Sequence, residues 1–544
     1  MCSARSDPAQ PPGSAFKPGL GMRGKRHKAK GKDEMNRRDF LSSTAAAFSA
    51  ACVCQGLAQA PERFHGFPAS QLERDPYVEM TPIAGYRNAP ASAYEAFQDM
   101  KFGIRIHWGI YSILNKGAES WPFLDMSFAD RQKYNNLYQS WNPVGFDADA
   151  WMNTFAESGM KMFAFTSKHH EGFSLFDTRT RVKNRASWTA IGGPKIESCD
   201  LAYSIMETPF RRDVVKELCD AAHKRDIKID LYFSHPDWYD ADFRPYNVHP
   251  LQVPSSAELL TPIDLERTRR TYKGNPVIVP DPTDAEVARM MQRHRDQLIE
   301  LLTNYGTIDM ICLDMSLGPK VWPQLRETVM KLRELQPNVM LRNRGIGNYG
   351  DYYTPERAVP ASKEGSDRPW FSIDPLGTDF SYEPDAAKYK GTEWIVRMLV
   401  DTVAKGGGLM IGVGPSARGE FHPEAIRQMK GAGAWLKVNG EAIYATRPRD
   451  GNDWSEGDTV RFTRAKNRQS VFAILTEWPG AQVVLKSVRP KEGSAVTLLG
   501  SEALLQWRFD SDRGTTVAIP ENLQQAGNRP CEHAWTLKIE PTST

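Results

Sequence analysis

The sequence predicts an α/β protein in which a TIM-like (β/α) barrel is followed by a C-terminal antiparallel β-sandwich. Two observations predict it: strand–helix units repeat in one long run, and after residue 446 the pattern changes to short β-type runs without long helices. Repeated units of this length build a parallel sheet, and so many of them favour closure into a barrel. No G-x-G-x-x-G follows the first strand, which weighs against a dinucleotide-binding fold.

In the predicted barrel, residues 91–445, apolar runs alternate with segments of helical periodicity. Strands are predicted within Phe102–Ile113 (with its following loop), Met160–Thr166, Ile227–Phe233, Ile308–Leu313, Asn338–Leu341 and Gly408–Val413. Helices are predicted at Asp147–Ser158, Arg212–Arg225, Glu286–Tyr305, Trp322–Leu335 and Glu393–Ala404. In the predicted sandwich, residues 446–544, β-type runs lie at Arg461–Phe462, Val471–Leu475, Ala481–Val488, Ala495–Leu499, Thr515–Ile519 and Thr536–Ile539.

Length and composition indicate a large globular protein. The chain has 544 residues, too many for one small domain, with 40% hydrophobic and 25% charged residues, a composition that argues against long disorder and membrane spans. The net charge of +3 comes from the first 60 residues, which carry +6, so the remainder is near neutral at −3. That distribution argues against a nucleic-acid partner. A large enzyme is therefore the leading class.

Residues 1–60 have the order of a signal peptide: a basic region, an apolar region and small residues for cleavage. Arg37 and Arg38 form a twin-arginine motif, an alanine-rich run spans Leu41–Leu57, and Ala58-Gln59-Ala60 follows. The motif predicts export by the Tat pathway to the periplasm or beyond, with no stable membrane insertion after cleavage. Two alternatives remain, a membrane-anchor helix and lipidation at Cys52. Residues 1–34 read either as an upstream over-extension of the frame or as a long leader, and residues 61–90 as a lead-in.

Seven cysteines are too few for a disulfide-built scaffold in a chain of 544 residues. Four of them remain after the leader: Cys199, Cys219, Cys312 and Cys531. Because they form no C-x-x-C pair, neither a zinc site nor a redox motif is indicated. A bridge between Cys199 and Cys219 stays open.

Polar residues follow the predicted strands of the barrel, where the chemistry of this fold lies. They are His107 and Trp108, Lys168 to Glu171, Tyr232, Ser234, Asp237 and Trp238, Asp314, and Arg342 to Arg344. Aromatic residues in the same loops suit a sugar, whose C–H faces stack on rings, although they also suit core packing. His107, His169 and His170 suggest zinc ligands, but adjacent residues on a strand point to opposite faces and no H-E-x-x-H occurs. We therefore expect no metal and no cofactor.

Several segments of the barrel, in this order along residues 91–446, resemble glycoside hydrolase family 29, the α-L-fucosidases. The matching segments are Lys101–Gly109, Lys168–Phe173, Leu231–Ser234 with Asp237-Trp238, Ile308–Asp314, Asn343–Gly345, Tyr353–Glu356, Gly406–Pro415 and Trp435–Tyr444. The family's fold is a TIM-like barrel with a β-sandwich, which agrees with the prediction from the residues.

The resemblance implies a retaining glycosidase that acts on a fucosylated oligosaccharide or glycoconjugate. Asp314 matches the nucleophile and Glu356 resembles the acid/base of some members, whose pKa must be raised for it to carry a proton into the first step. Residues matching the sugar-binding or pocket-lining positions are His107, Trp108, His169, His170, Tyr232 and Arg344. Glu119 and Trp121 resemble a Glu-Trp pair with the same role, offset by one residue. The oligomeric state stays open.

The sequence also departs from the family's pattern. Other members supply the acid from a Trp-Glu motif that here reads Trp370-Phe371, so Glu356 has to serve, with Glu364 as a second candidate. Further departures, at positions where the family has other residue types, are Arg105, Cys312, Met315 and Gly412. Two alternatives to an α-L-fucosidase follow: a glycosidase for a fucose-like sugar such as L-galactose, and a carbohydrate-binding protein without catalysis.

Overall fold

The computed structural model describes residues 75–246, 249–251, 279–360, 368–449 and 454–542, with the backbone of Phe64–His65 and Gly365–Ser366. These residues belong to a compact unit that spans residues 56–544. The predicted leader, residues 1–60, and Glu364 lie outside the described residues.

Among the described residues seven parallel strands form the predicted barrel, and each pairs with the next along the chain except the fifth and sixth. They are Phe102–Ile106, Met162–Lys168, Lys228–Ser234, Met310–Asp314, Met340–Leu341, Phe371–Pro375 and Gly408–Gly412, and the last pairs with the first. The gap between the fifth and sixth strands is bridged by backbone hydrogen bonds of residues 352–357, which reach Asn343 on one side and Phe371 and Ile373 on the other. The chain order of the strands is therefore also their order around the barrel.

The strands are apolar because both of their faces are buried. Inside the barrel lies a cluster that includes Met162, Ala164, Met310, Met340 and Met410. The alternate residues face the surrounding helices and belong to the main core, as Ile104 and Phe163 do. One buried carboxyl group, Asp230, lies level with Ala164 and Met310 inside the barrel, on the Tyr352 hydroxyl. The polar side chains of the candidate site lie further along, towards the carboxyl ends of the strands.

Five long helices lie where they are predicted, within two residues at each end: Ala148–Glu157, Val214–His223, Asp284–Thr303, Trp322–Leu335 and Thr392–Ala404. Three begin at side chains that accept a hydrogen bond from the first turn: Asp147, Asp213 and Thr283, the last in a capping box with Glu286. Elements that the sequence analysis did not predict include helices Ala91–Met100 and Pro423–Asn439, the hairpin strands Val182–Ser187 and Lys195–Leu201, and strand Phe371–Pro375.

Two antiparallel sheets follow the barrel, as predicted. The larger has the strands Thr446–Arg447, Val460–Ala465, Val471–Leu475, Trp535–Ile539, Val496–Leu498 and Leu504–Leu505, with Ser455–Glu456 beside the second of these. The smaller has the strands Gln482–Leu485, Gly514–Ala518 and Trp507–Asp510. Phe462 and Leu537 of the larger sheet share one buried cluster with Leu485 and Val517 of the smaller, so the two sheets pack face to face.

The four described cysteines are free thiols, so Cys199 and Cys219 are not bridged in the structure. Throughout the described ranges, no helix combines the length and the apolar character needed to cross a bilayer.

Candidate active site

Asp314 and Glu356 reach the same small region at the carboxyl end of the barrel. Asp314 is the last residue of the fourth strand, and Glu356 lies in the segment that closes the barrel beside Ile373. Arg344 contacts both carboxyl groups: its Nη1 lies 2.7 Å from Asp314 Oδ1 and its Nη2 lies 2.9 Å from Glu356 Oε1. A single guanidinium therefore bridges the two predicted catalytic residues.

A second arginine, Arg342, also lies between the two carboxyl groups. Its Nη1 lies 3.5 Å from Asp314 Oδ1 and its Nη2 3.3 Å from Glu356 Oε1. The Arg342 side chain is fully buried, whereas 29% of the Glu356 side chain and 11% of the Asp314 side chain are exposed. Glu356 is thus the carboxyl group nearer to solvent.

The two arginines control the ionisation of the carboxyl groups. Burial by itself raises the pKa of Asp314, but Arg344, Arg342 and His170 outweigh it and hold that pKa well below its usual range. Burial likewise raises the pKa of Glu356, and the two arginines again turn the shift downward, against a smaller upward effect from Asp314. Both groups are therefore carboxylates at neutral pH. The pKa of Glu356 is therefore shifted opposite to the raised value expected of a catalytic acid.

A chain of hydrogen bonds holds the other oxygen of Asp314. The Tyr232 hydroxyl donates to Asp314 Oδ2 at 2.6 Å and lies 3.0 Å from Ser234 Oγ, which is 2.8 Å from His170 Nδ1. His170 Nε2 comes back to within 3.8 Å of Asp314 Oδ2. Tyr232 and Ser234 of the third strand, together with His170, thus hold the nucleophile candidate in one orientation.

His107 and His169 line the same region as neutral rings. Burial lowers the pKa of His169 to about 3 and that of His107 well below its usual value. His169 stacks on Tyr232 with ring centroids 5.4 Å apart, and its Nδ1 lies 2.6 Å from Ser120 Oγ. Because neutral imidazoles offer one donor and one acceptor, these rings suit hydroxyl groups better than charges.

Three predicted site residues have different surroundings. Trp121 packs edge-on against His170 at 4.8 Å and so borders the site, while Glu119 is buried in the same loop with its backbone bonded to Ser381. Trp108 instead lies in the aromatic core, against Phe146, with its indole N–H donating to the Ser416 carbonyl. Its described contacts make it a support of the first strand end rather than a wall of the site.

Sequence reasoning gave no role to several residues of this site. Arg342, Ser234 and Glu171 were among the polar residues that follow predicted strands, but none of them was assigned a function. Glu171 is buried with its Oε2 3.6 Å from His169 Nδ1, and burial raises its pKa to about 8, so it is a neutral acid beside a neutral imidazole. Phe380, 5.1 Å from His107 between ring centroids, comes from a loop that carried no signal.

The described residues contain no group of three or more His, Cys, Asp or Glu side chains arranged to hold a metal ion. The site offers two carboxyl groups, two arginines, and tyrosine and histidine side chains that form hydrogen bonds. Paired carboxyl groups in a polar, aromatic-lined pocket are the arrangement of glycosidases.

Comparison with known proteins identifies the family. The family described as alpha-L-fucosidase matches residues 86–441, and the alpha-L-fucosidase C-terminal domain matches residues 452–540. Human plasma alpha-L-fucosidase is 28% identical over 472 residues, covering 81% of this chain and 89% of that protein. Human tissue alpha-L-fucosidase is 27% identical over 471 residues, covering 81% of this chain and 88% of that protein.

Solved structures agree. Alpha-L-fucosidase isoenzyme 1 from Paenibacillus thiaminolyticus superposes with a TM-score of 0.64 at 25% identity, covering 83% of this chain and 99% of that one. A GH29 alpha-L-fucosidase from Bacteroides thetaiotaomicron, trapped as a covalent intermediate, has the same fold with a TM-score of 0.64 at 22% identity, covering 86% of this chain and all of that one. The chain therefore belongs to the α-L-fucosidases of glycoside hydrolase family 29, and it is a glycoside hydrolase.

Proposed function

We propose that the chain is an exported, retaining α-L-fucosidase that removes terminal α-L-fucosyl residues from oligosaccharides or glycoconjugates, with Asp314 as nucleophile and Glu356 as acid/base. One observation carries the proposal: the Arg344 guanidinium lies between the two carboxyl groups and contacts both. Export rests on the twin-arginine leader alone.

In the first step an oxygen of Asp314 attacks the anomeric carbon while the bond from that carbon to the glycosidic oxygen breaks. Glu356, in its protonated form, gives its proton to the departing oxygen. Asp314 suits the nucleophile because it is held ionised and oriented by Arg344 on one oxygen and by Tyr232 on the other. Glu356, the more exposed of the two carboxyl groups, suits the group that meets the leaving alcohol.

In the second step water attacks the same carbon, Glu356 takes a proton from that water, and the bond to Asp314 breaks. Esterification removes the negative charge of Asp314, which is the neighbour that raises the pKa of Glu356. The pKa of Glu356 consequently falls further once the intermediate has formed, which favours a base. The lowered pKa of Glu356 thus favours the second step, in which Glu356 acts as a base. The first step needs protonated Glu356 and is therefore favoured at acid pH.

The hydroxyl groups of the sugar would meet His107, His169 and His170, with Trp121 as an aromatic wall and the buried Glu119 in the same loop. Support comes from the neutral state of the His107 and His169 rings and from the packing of Trp121 on His170. Neutral rings discriminate hydroxyl geometry without attracting anions.

A fucose-like sugar is the second candidate substrate, and Arg105 favours it. This buried guanidinium lies beside the Tyr232 ring, with its central carbon 4.6 Å from the ring centroid, and it donates to Cys312 Sγ. Its Nε has no hydrogen-bond partner among the described residues. A buried cation with spare donors suits an oxygen substituent where fucose carries a methyl group, as in L-galactose.

The test is hydrolysis of an aryl α-L-fucoside and an aryl α-L-galactoside by the mature chain and by two variants. Asp314→Asn should lower kcat on the preferred sugar by a factor on the order of 10⁴ or more, because it removes the nucleophile. Asp309→Asn, at the start of the same strand region and far from the site, is the matched control and should keep activity. Full activity in Asp314→Asn would sink the assignment, and sugar binding without turnover by the parent would indicate a binding protein.

A further inference from the structure

Two fully buried histidines, His235 and His294, lie behind the candidate site. His235 follows the third barrel strand, and its backbone N–H donates to the Asp314 carbonyl at 3.0 Å. Its ring Nε2 lies 3.3 Å from the backbone carbonyl oxygen of Arg344. One residue thus contacts the backbone of both the nucleophile candidate and the arginine that bridges the carboxyl groups.

The partners of the two rings fix their tautomers. A carbonyl oxygen only accepts, so His235 Nε2 must carry the proton that it donates to Arg344. In the neutral ring His235 Nδ1 is then an acceptor, and its neighbour at 3.0 Å, His294 Nε2, must be the donor. His294 Nδ1 has no hydrogen-bond partner among the described residues, and in this tautomer it is an unpaired acceptor that carries no proton.

The surroundings keep both rings neutral. Burial lowers the pKa of His235 to about 4, and burial together with His235 lowers that of His294 well below its usual range. The charged groups that face the pair are Asp314 and Lys168 at His235, and Lys168 and Arg293 at His294. The pair is therefore a neutral donor chain that runs from helix Asp284–Thr303 to the Arg344 carbonyl.

The turn after Arg344 is shaped to sit on the His235 ring. Gly345 has a φ of +73°, and a Cβ atom there would lie 2.9 Å from His235 Cδ2. The His235 and His294 rings are nearly parallel, at 16°, with centroids 5.2 Å apart. A side chain at position 345 would push the turn off the ring, so glycine permits the contact.

We infer that His235, held in place by His294, is a positioning residue that fixes the backbone of Arg344 so that its guanidinium meets Asp314 and Glu356 together. Arg344 has a long side chain, 17% exposed, and reaches two charged partners at 2.7 and 2.9 Å. Keeping both contacts requires a fixed starting point for the side chain. The inference rests on the proposed function only for its kinetic readout.

The experiment compares His235→Phe, which keeps a ring but removes both ring hydrogen bonds, with the parent. We expect kcat to fall about 10- to 100-fold with little change in KM, since positioning is lost while the sugar-binding rings remain. Both limbs of the pH profile should move to higher pH, because Arg344 lowers the pKa of Asp314 and of Glu356. His223→Phe is the control: it removes a histidine–carbonyl contact on the surface, to Thr307, and should leave the profile unchanged.

A double-mutant cycle separates positioning from general damage. If His235 acts through Arg344, His235→Phe should cost little further activity in an Arg344→Ala background. Additive losses, or an unchanged pH profile in His235→Phe, would overturn the inference. Should His235→Phe fail to fold, His294→Gln keeps a donor near the Nε2 position and His294→Phe does not, so equal activity of these two variants would also overturn it.

Failure of the proposed function gives a different result. A parent that hydrolyses neither aryl glycoside rejects that function and leaves the positioning inference to a crystal structure of His235→Phe. An Arg344 guanidinium still bridging Asp314 and Glu356 in that structure would contradict the inference, and a displaced guanidinium would support it.

Discussion

The charge of single residues sets how this site responds to pH. Asp314 must be ionised and Glu356 protonated for the first step, so kcat/KM of the free enzyme rises with pH through the pKa of Asp314 and falls through that of Glu356. Both pKa values lie below the usual carboxyl range because of Arg344 and Arg342. We expect kcat/KM for a fucosylated oligosaccharide to be clearly higher at about pH 4 than at about pH 7.

Arg344→Gln provides the matched comparison for that profile. Removing the charge lets the pKa of both carboxyl groups rise, so both limbs should shift to higher pH even as the maximum rate falls. A parent optimum above neutral pH, or limbs that do not move in the variant, would contradict this account of the electrostatics.

Glu356 is tested separately, through the leaving group. In Glu356→Gln the first step lacks its proton donor, so activity on a natural glycan should fall by about 10²–10⁴-fold. An aryl fucoside with an acidic phenol needs less help and should lose less in that step. Equal losses on both substrates would indicate that another residue supplies the proton. Glu420→Gln, a substitution of an exposed carboxylate outside the site, is the control and should change neither rate.

The sequence predicted the residues of the site better than their environment. The strand-end positions brought together Asp314, His107, His169, His170, Tyr232 and Arg344. Glu356, which only the family resemblance indicated, lies beside them on Arg344. Arg342 was named among the strand-end residues but was given no role, because its contacts with Asp314 and Glu356 depend on side-chain placement that the sequence does not show. The sequence also could not predict the downward pKa shift of Glu356. That shift depends on the distances from the Arg342 and Arg344 guanidinium groups to its carboxylate, which residue spacing does not determine.

At the scale of elements, continuous apolar runs identified the strands, and helical periodicity identified five helices. The sixth strand, Phe371–Pro375, was not predicted because it is short, contains two polar residues and a proline, and pairs in part with the irregular segment 352–357. Helix Pro423–Asn439 was missed because Gly431 and Gly433 interrupt its pattern. These glycines permit close packing: a Cβ atom on Gly433 would lie 2.1 Å from the Glu157 carbonyl oxygen.

The loop after the second strand depends on a similar close approach. Gly172 has a φ of +86°, and a Cβ atom there would lie 2.0 Å from Asp237 Oδ1, which also accepts from the Tyr239 and Asp240 amides. Gly172→Ala should cost about 3 kcal/mol, combining the left-handed backbone penalty with the collision. Denaturant unfolding measures this loss, and fucoside hydrolysis should fall as His169 and His170 move.

Gly85→Ala is the control for that loop. Gly85 has a φ of +92°, and its Cβ position meets no atom within 4 Å, so only the backbone penalty of about 1–2 kcal/mol applies. If both variants lose the same free energy of unfolding, the collision with Asp237 does not matter and the loop is more adaptable than the geometry indicates.

At the scale of the whole molecule, the sandwich is joined to the barrel through buried contacts. Trp435, on the last long helix of the barrel, is 3% exposed and donates from its indole N–H to the Ala534 carbonyl of the sandwich at 2.8 Å. Arg461 of the sandwich bonds to Asp401 of helix Thr392–Ala404 at 2.8 Å. We infer that the sandwich braces the helices that back the sixth and seventh strands.

This bracing predicts that the two parts unfold together. Trp435→Ala should lower the free energy of unfolding by about 3–5 kcal/mol, since it removes a buried indole and strands a carbonyl at the interface. Trp478→Ala, a half-buried tryptophan within the sandwich, is the control and should cost less, because its site is nearer to solvent. Calorimetry of the parent should show one transition. Two separate transitions, with only the sandwich affected by Trp435→Ala, would mean that the barrel stands without its brace, and the sandwich would then need another role, such as contact with the glycan.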